Sequence, residues 1–82
     1  MKDFIDEARD LLKAIHILTK QIKETESEPQ INEEALSSDK ELLELLKDQL
    51  AVLPRYTGFR MSEEQWKRAL VNIQESIEKN DN

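Results

Sequence analysis

His16 is the only histidine of this 82-residue chain, and it is the side chain best suited to catalysis or metal binding. A general base needs an acid or a nucleophile within reach, and a metal ion needs several ligands. The residues one helical turn away from His16 are Leu12 and Lys20, and neither supplies such a group. We interpret His16 as a histidine at the margin of an apolar helix face.

The other reactive residue types also lack the spacing that their chemistry needs. Glu63 and Glu64 are adjacent, so on a helix their carboxylates point about 100° apart and do not converge on one ion; the same holds for the acidic pair at 33–34. The chain has no cysteine and a single glycine, Gly58, which excludes thiolate metal sites and glycine-rich phosphate loops. The sequence therefore predicts a non-enzymatic protein with no catalytic residue, no metal and no cofactor.

The connector 54–61 and one exposed aliphatic residue are the candidate contacts with a protein partner. The connector holds two aromatic residues and two arginines, the types that concentrate binding energy at interfaces. The alternative is that its aromatic residues fold back over the end of the helices, because a small core uses every aromatic side chain. Ile17 is an apolar residue among charged ones, off the main apolar face of its helix. The predicted partner-binding residues are Arg55, Tyr56, Phe59, Arg60 and Ile17.

Regular spacing of apolar residues predicts the first helix, and the loss of that spacing predicts the loop that follows it. Apolar residues recur every three or four positions, which predicts a helix over about 3–25 with Asp3 as its N-cap. Residues 24–34 are acidic and have no apolar spacing, and Pro29 disfavours helix at the residue before it. We predict an acidic loop over 24–34, with an extra short helical turn near 32–37.

Two capping boxes predict where the other helices begin. Ser38 and the acid three residues later predict a helix over about 39–53. Ser62 and the glutamine three residues later predict a helix over about 63–79. The whole chain, 1–82, is then a single all-α domain, a small antiparallel bundle of three main helices.

The second helix carries more apolar surface than one small core needs. Its apolar residues cover about half of its circumference, which indicates that it is central in the bundle or faces a second subunit. A homodimer or a structural self-assembling module is therefore one alternative to a binding protein.

Net charge and hydropathy narrow the class of partner. The formal charge of −6 repels phosphate backbones and anionic lipid, so we expect no direct binding of nucleic acid. No apolar run approaches the roughly 18 residues of a membrane span, so we expect no membrane insertion and a cytoplasmic location. The acidic excess falls within residues 1–53. A phage or mobile-element inhibitor that presents this half to a basic site is a further alternative.

Residues 58–65 lead into the third helix and include Ser62, Glu63 and Gln65, and Leu70, Ile73 and Ile77 follow. This segment resembles the last helix of class IIa, or pediocin-like, bacteriocin immunity proteins. Those small cytoplasmic helical bundles often begin that helix with a Ser/Thr-acid-x-Gln pattern after a loop, and the leucine-rich segment 41–53 is similar to their second helix. The resemblance implies a bacterial protein that protects its producer by recognising a bacteriocin-locked sugar permease, with specificity sought from Pro54 onward.

Overall fold

The computed structural model describes residues 3–30 and 32–80, and these form three α-helices joined by short connections. The helices are α1 (Phe4–Ser27), α2 (Glu33–Val52) and α3 (Glu63–Asn80). A 3-10 turn, Leu53–Arg55, follows α2 directly and leads into the loop 56–62. The predicted all-α bundle of three main helices is confirmed. None of the described helices is both long enough and apolar enough to cross a bilayer.

The ends of α1 follow its capping and proline signals. The Asp3 side chain accepts a hydrogen bond of 2.9 Å from the Ile5 N–H, which satisfies one of the free donors at the helix start. Glu28 is extended, with ψ 146°, because the ring of Pro29 disfavours helical backbone at the residue before it. The helix therefore runs to Ser27, and the acidic loop predicted over 24–34 is wrong at 24–27, which belong to α1, and at 33–34, where α2 begins.

The predicted start of the second helix at residue 39 is wrong, because Asn32 caps the helix instead. The Asn32 side chain accepts a hydrogen bond of 3.2 Å from the Ala35 N–H. Nothing between residues 33 and 38 breaks a helix, so the short turn predicted near 32–37 is simply the first part of α2. Ser38 lies exposed within this helix and caps nothing.

The capping box at the start of α3 is confirmed in both of its hydrogen bonds. The Gln65 N–H donates to the Ser62 hydroxyl at 3.2 Å, and the Ser62 N–H donates to the Gln65 side-chain oxygen at 3.0 Å. Met61 and Trp66 stand just before the N-cap and at the fourth helical position, where a hydrophobic staple forms, and both join the same apolar cluster. The two residues therefore fix the angle at which the chain enters α3.

α1 is the central helix of the bundle, since it packs against both α2 and α3. Phe4 at the start of α1 contacts Phe59, which contacts Trp66 at the start of α3, and Ile17 lies beside Ile77 near the end of α3. α1 and α3 therefore run in the same direction, and α2 runs antiparallel to both. The buried core cluster comprises Ala8, Leu12, Leu53, Trp66, Ile73 and Ile77.

α1 and α2 extend past the described end of α3. Leu18 and Ile22 are buried, yet they lie outside the core cluster that involves α3. We call residues 18–27 of α1 and residues 33–42, the first half of α2, the distal hairpin. Its projection explains the elongated shape, 47 × 27 × 22 Å, and a radius of gyration of 14.8 Å. A compact chain of this length would have a radius of gyration of about 12 Å.

Candidate protein-binding surface

α2 carries two rows of residues, each spaced alternately by three and four positions, and the rows are offset by one residue. The inner row faces the bundle, and each of its members is half-buried or buried. The outer row lies about 100° away around the helix, and each of its members is exposed. The inner row is Leu36, Asp39, Leu43, Leu46, Leu50 and, just past the helix, Leu53; the outer row is Ala35, Ser38, Leu42, Leu45, Gln49 and Val52.

The outer row presents three large aliphatic side chains to solvent. Leu42 is 48% exposed, Leu45 is 57% exposed and Val52 is 37% exposed. No residue within α2 itself is buried, and the first buried side chain at this end is Leu53, 3% exposed, in the turn that follows. The expectation that α2 is central in its bundle is therefore wrong, because α1 takes that position. The outer row, which makes up half of the apolar arc of α2, faces outward.

The charges of α2 are segregated around the outer row. Glu34, Glu41 and Asp48 recur every seven residues, are exposed, and lie about 70° from the centre of the outer row. We call these three residues the acidic edge. The lysines of this helix, Lys40 and Lys47, lie about 170° away, on the opposite side. The outer row is therefore apolar at its centre, acidic along one side and remote from any lysine of its own helix.

A tight turn shapes the connector. The Phe59 N–H donates to the Tyr56 carbonyl at 3.2 Å, and Gly58 between them has φ +95°. That backbone conformation is strained for residues with a side chain, so the single glycine stands where the turn requires one. The turn directs the ring of Phe59 back toward the helices.

All four aromatic residues of the sequence form one chain of ring contacts. Phe59 lies edge-to-face against Trp66, with ring centroids 5.0 Å apart, and edge-to-face against Phe4 at 5.4 Å. Tyr56 stacks on the same Phe4 at 6.3 Å and stays 53% exposed. Such pairs stabilise by about 0.5–1.5 kcal/mol each beyond the area they bury. Phe59 thus covers the end of the bundle, the alternative role we considered for the connector aromatics.

The predicted partner-binding residues fall in two separate places. Arg55, Tyr56 and Arg60 are exposed and Phe59 is half-buried, all at the end of the bundle where α3 begins. Ile17 is 57% exposed but lies near the opposite end of α3, beside Ile77. The structure therefore groups the four connector residues and leaves Ile17 apart from them.

A shallow apolar groove lies between the end of α2, the connector and α3. Its volume is about 590 Å³. Glu63 and Lys67 stand at its edge as an ion pair of 3.5 Å, and both side chains are largely exposed, so salt screens their attraction. We call it the connector groove; its apolar lining is Ala51, Pro54, Phe59, Met61, Trp66 and Leu70.

His16 lies in a smaller depression of about 250 Å³ between α1 and the end of α3. Lys13, Ile17, Ile77 and Asn80 line the rest of it. Across residues 3–30 and 32–80, the structure places no group of three or more histidine, aspartate or glutamate side chains where they could hold a metal ion.

Comparison of the chain with protein-family models, curated proteins and solved structures found no significant match. The resemblance of segment 58–65 to bacteriocin immunity proteins accordingly stays a prediction.

The outer row was missed as a separate feature because its signal overlaps that of the inner row. Leu42 and Leu43 are neighbours in sequence, as are Leu45 and Leu46, so that the two rows look like one broad apolar arc. Only the position of α1 divides that arc, because its side chains cover the inner row alone. A helical wheel displays both rows, but it does not show which of them α1 covers.

Proposed function

We propose that this chain is a non-enzymatic protein that acts by binding another protein through the outer row of α2. The supporting observation is the exposure of Leu42, Leu45 and Val52 along one line of the helix. Single exposed aliphatic residues are normal on a protein surface, whereas a contiguous exposed patch is typical of a binding site. Full burial of a wholly exposed aliphatic side chain stabilises by about 1.5–3 kcal/mol, and each of these side chains, already about half-buried, contributes about half of that.

The spacing of the outer row matches the way in which proteins recognise helices. Leu42, Leu45, Gln49 and Val52 stand at positions i, i+3, i+7 and i+10, the anchor pattern of a helix that packs against a partner's helix or groove. α2 is about 30 Å long, and the row runs along nearly its whole length. A protein partner can therefore be bound without any cavity in this chain.

Paired variants of the purified protein test this proposal. A partner is first captured by crosslinking in the source cells, then purified and titrated by calorimetry. We expect the double variant Leu42→Gln/Leu45→Gln to weaken binding at least tenfold, about 1.4 kcal/mol or more, because it removes the apolar anchors. Val71→Gln is the matched control, since Val71 is 56% exposed on α3, and it should bind like the wild type. Circular dichroism should show both variants folded.

The connector groove is the second candidate surface, favoured by its volume of about 590 Å³ and by Arg55 and Arg60, which are next in sequence to residues that line it. It is also where the immunity-like function implied by the family resemblance would place specificity. The same titration distinguishes the two surfaces through the variant Arg60→Ala/Met61→Gln. If this variant loses the partner while Leu42→Gln/Leu45→Gln retains it, the connector groove is the binding surface and the α2 proposal is wrong.

A further inference from the structure

The surroundings of the outer row define the chemistry of what covers it. We infer that its occupant is an amphipathic helix of another protein whose apolar stripe is flanked by lysine or arginine. This inference rests on the proposed function and adds the class of partner. It is drawn from the acidic edge, the position of the lysines and the row's own spacing.

A second copy of this chain is a poor occupant because the charges do not match. In an antiparallel contact between two α2 helices, the acidic edge of one lies against the acidic edge of the other. In a parallel contact, the edge lies against the side of the inner row, where the partner copy offers Asp39, Leu46 and Leu53. Neither arrangement pairs an acid with a base, and like charges at such flanking positions are repulsive.

The area available also disfavours a dimer built on this helix alone. A stable interface buries about 800 Å² on each partner. The outer row offers three large aliphatic side chains, between 37% and 57% exposed, and its other members are small or polar. A contact of that size needs favourable charge at its edges, and a second acidic copy cannot supply it.

A basic-flanked helix satisfies every feature of the surface. Its apolar stripe covers Leu42, Leu45 and Val52, and its cations lie beside the acidic edge, whose members repeat every seven residues in step with the row. Lys40 and Lys47 point away and do not repel it. The net charge of −6 attracts such a partner at long range and speeds its association.

Two synthetic peptides of about 20 residues, the length of α2, test the inference. Both carry leucines at the a and d positions of a heptad; one has lysine at the flanking positions, and the other has glutamate. Each is titrated into the ¹⁵N-labelled protein at about 0.05 M salt and again at about 0.3 M salt. We expect the lysine peptide to shift the amides of the outer row, to bind at least tenfold more tightly than the glutamate peptide, and to weaken in high salt.

Two variants with the same net charge distinguish the local effect of the acidic edge on binding from the long-range effect of net charge. Glu34→Gln/Glu41→Gln/Asp48→Asn should weaken the lysine peptide by about tenfold, because the neighbouring charges are lost. Glu26→Gln/Glu33→Gln/Glu44→Gln removes the same number of charges from exposed positions off the outer row and should weaken it only about twofold, through the long-range field.

Several outcomes overturn the inference: equal binding of both peptides, amide shifts at the connector groove, or no binding at millimolar peptide. Outer-row shifts that grow with protein concentration alone would identify a second copy as the occupant. The proposed function fails separately, if the Leu42→Gln/Leu45→Gln variant keeps full affinity for its captured partner. If that variant loses affinity but the acidic-edge variant does not, the surface is right and the partner class is wrong.

Discussion

At the scale of single residues, Phe59 shows how one side chain can serve the core although its segment resembles a binding loop. The turn at Gly58 directs its ring between Phe4 and Trp66, both of which it meets edge-to-face. Tyr56, three residues earlier, stacks on Phe4 with ring centroids 6.3 Å apart and remains 53% exposed. Two aromatic residues of the same connector therefore differ in what they contribute to stability.

Alanine at these two positions should separate the roles. We expect Phe59→Ala to lower the free energy of unfolding by about 2 kcal/mol, less than the roughly 3–5 kcal/mol of a fully buried phenylalanine because Phe59 is only half-buried. Tyr56→Ala should cost less than about 1 kcal/mol, since most surface substitutions have small effects. Urea unfolding followed by Trp66 fluorescence measures both. Equal losses would contradict the packing of Phe59 against the core.

At the scale of elements, the sequence predicted the presence of the three helices better than it predicted where α2 begins and which of its faces is covered. The starts of α1 and α3 could be predicted because Asp3 and Ser62 act through the backbone beside them. The start of α2 could not be predicted, because Asn32 and Ser38 are both good N-caps. The choice between them depends on whether helical structure over residues 33–38 gains packing energy by burying apolar surface. Leu36, half-buried in the inner row, provides that gain. The same limit applies to the outer row, which only tertiary packing separates from the inner row.

Serine-to-alanine changes at the two predicted caps test the helix starts directly. Ser62→Ala should lower stability by about 1 kcal/mol, because the Gln65 N–H loses its acceptor. Ser38→Ala should be neutral or slightly stabilising, since alanine has the higher helix propensity and Ser38 is exposed within α2. Thermal unfolding by circular dichroism compares the two. A clear loss in Ser38→Ala would mean that α2 begins there after all.

At the scale of the whole molecule, stability is unevenly distributed along the long axis. One end holds the aromatic contacts and the core cluster, with all three helices packed together. In the distal hairpin, α1 packs against α2 without α3, and the inner row there includes the polar Asp39. A pair of helices buries less apolar surface per residue than three, so this end should open more easily.

Hydrogen exchange should reveal the gradient. We expect amides of residues 8–14 of α1 and of α3 near Ile73 to exchange at the rate of global unfolding. Amides of residues 20–27 and 33–40 should exchange at least tenfold faster, through local opening of the distal hairpin. Native-state exchange followed by NMR gives the individual rates. Uniform protection along α1 would contradict a weaker distal end.

The one-residue offset between the rows of α2 has a consequence for the uniqueness of the folded state. Turning the helix by about 100° about its own axis would bring the outer row against α1 and expose the inner row. The inner row has five leucines against two in the outer row, and the polar Ser38 and Gln49 of the outer row also oppose this alternative register. Ser38 and Gln49, the polar members of the outer row, therefore select one packing among two. Their polarity limits how apolar the binding face can become before the helix loses its preferred orientation.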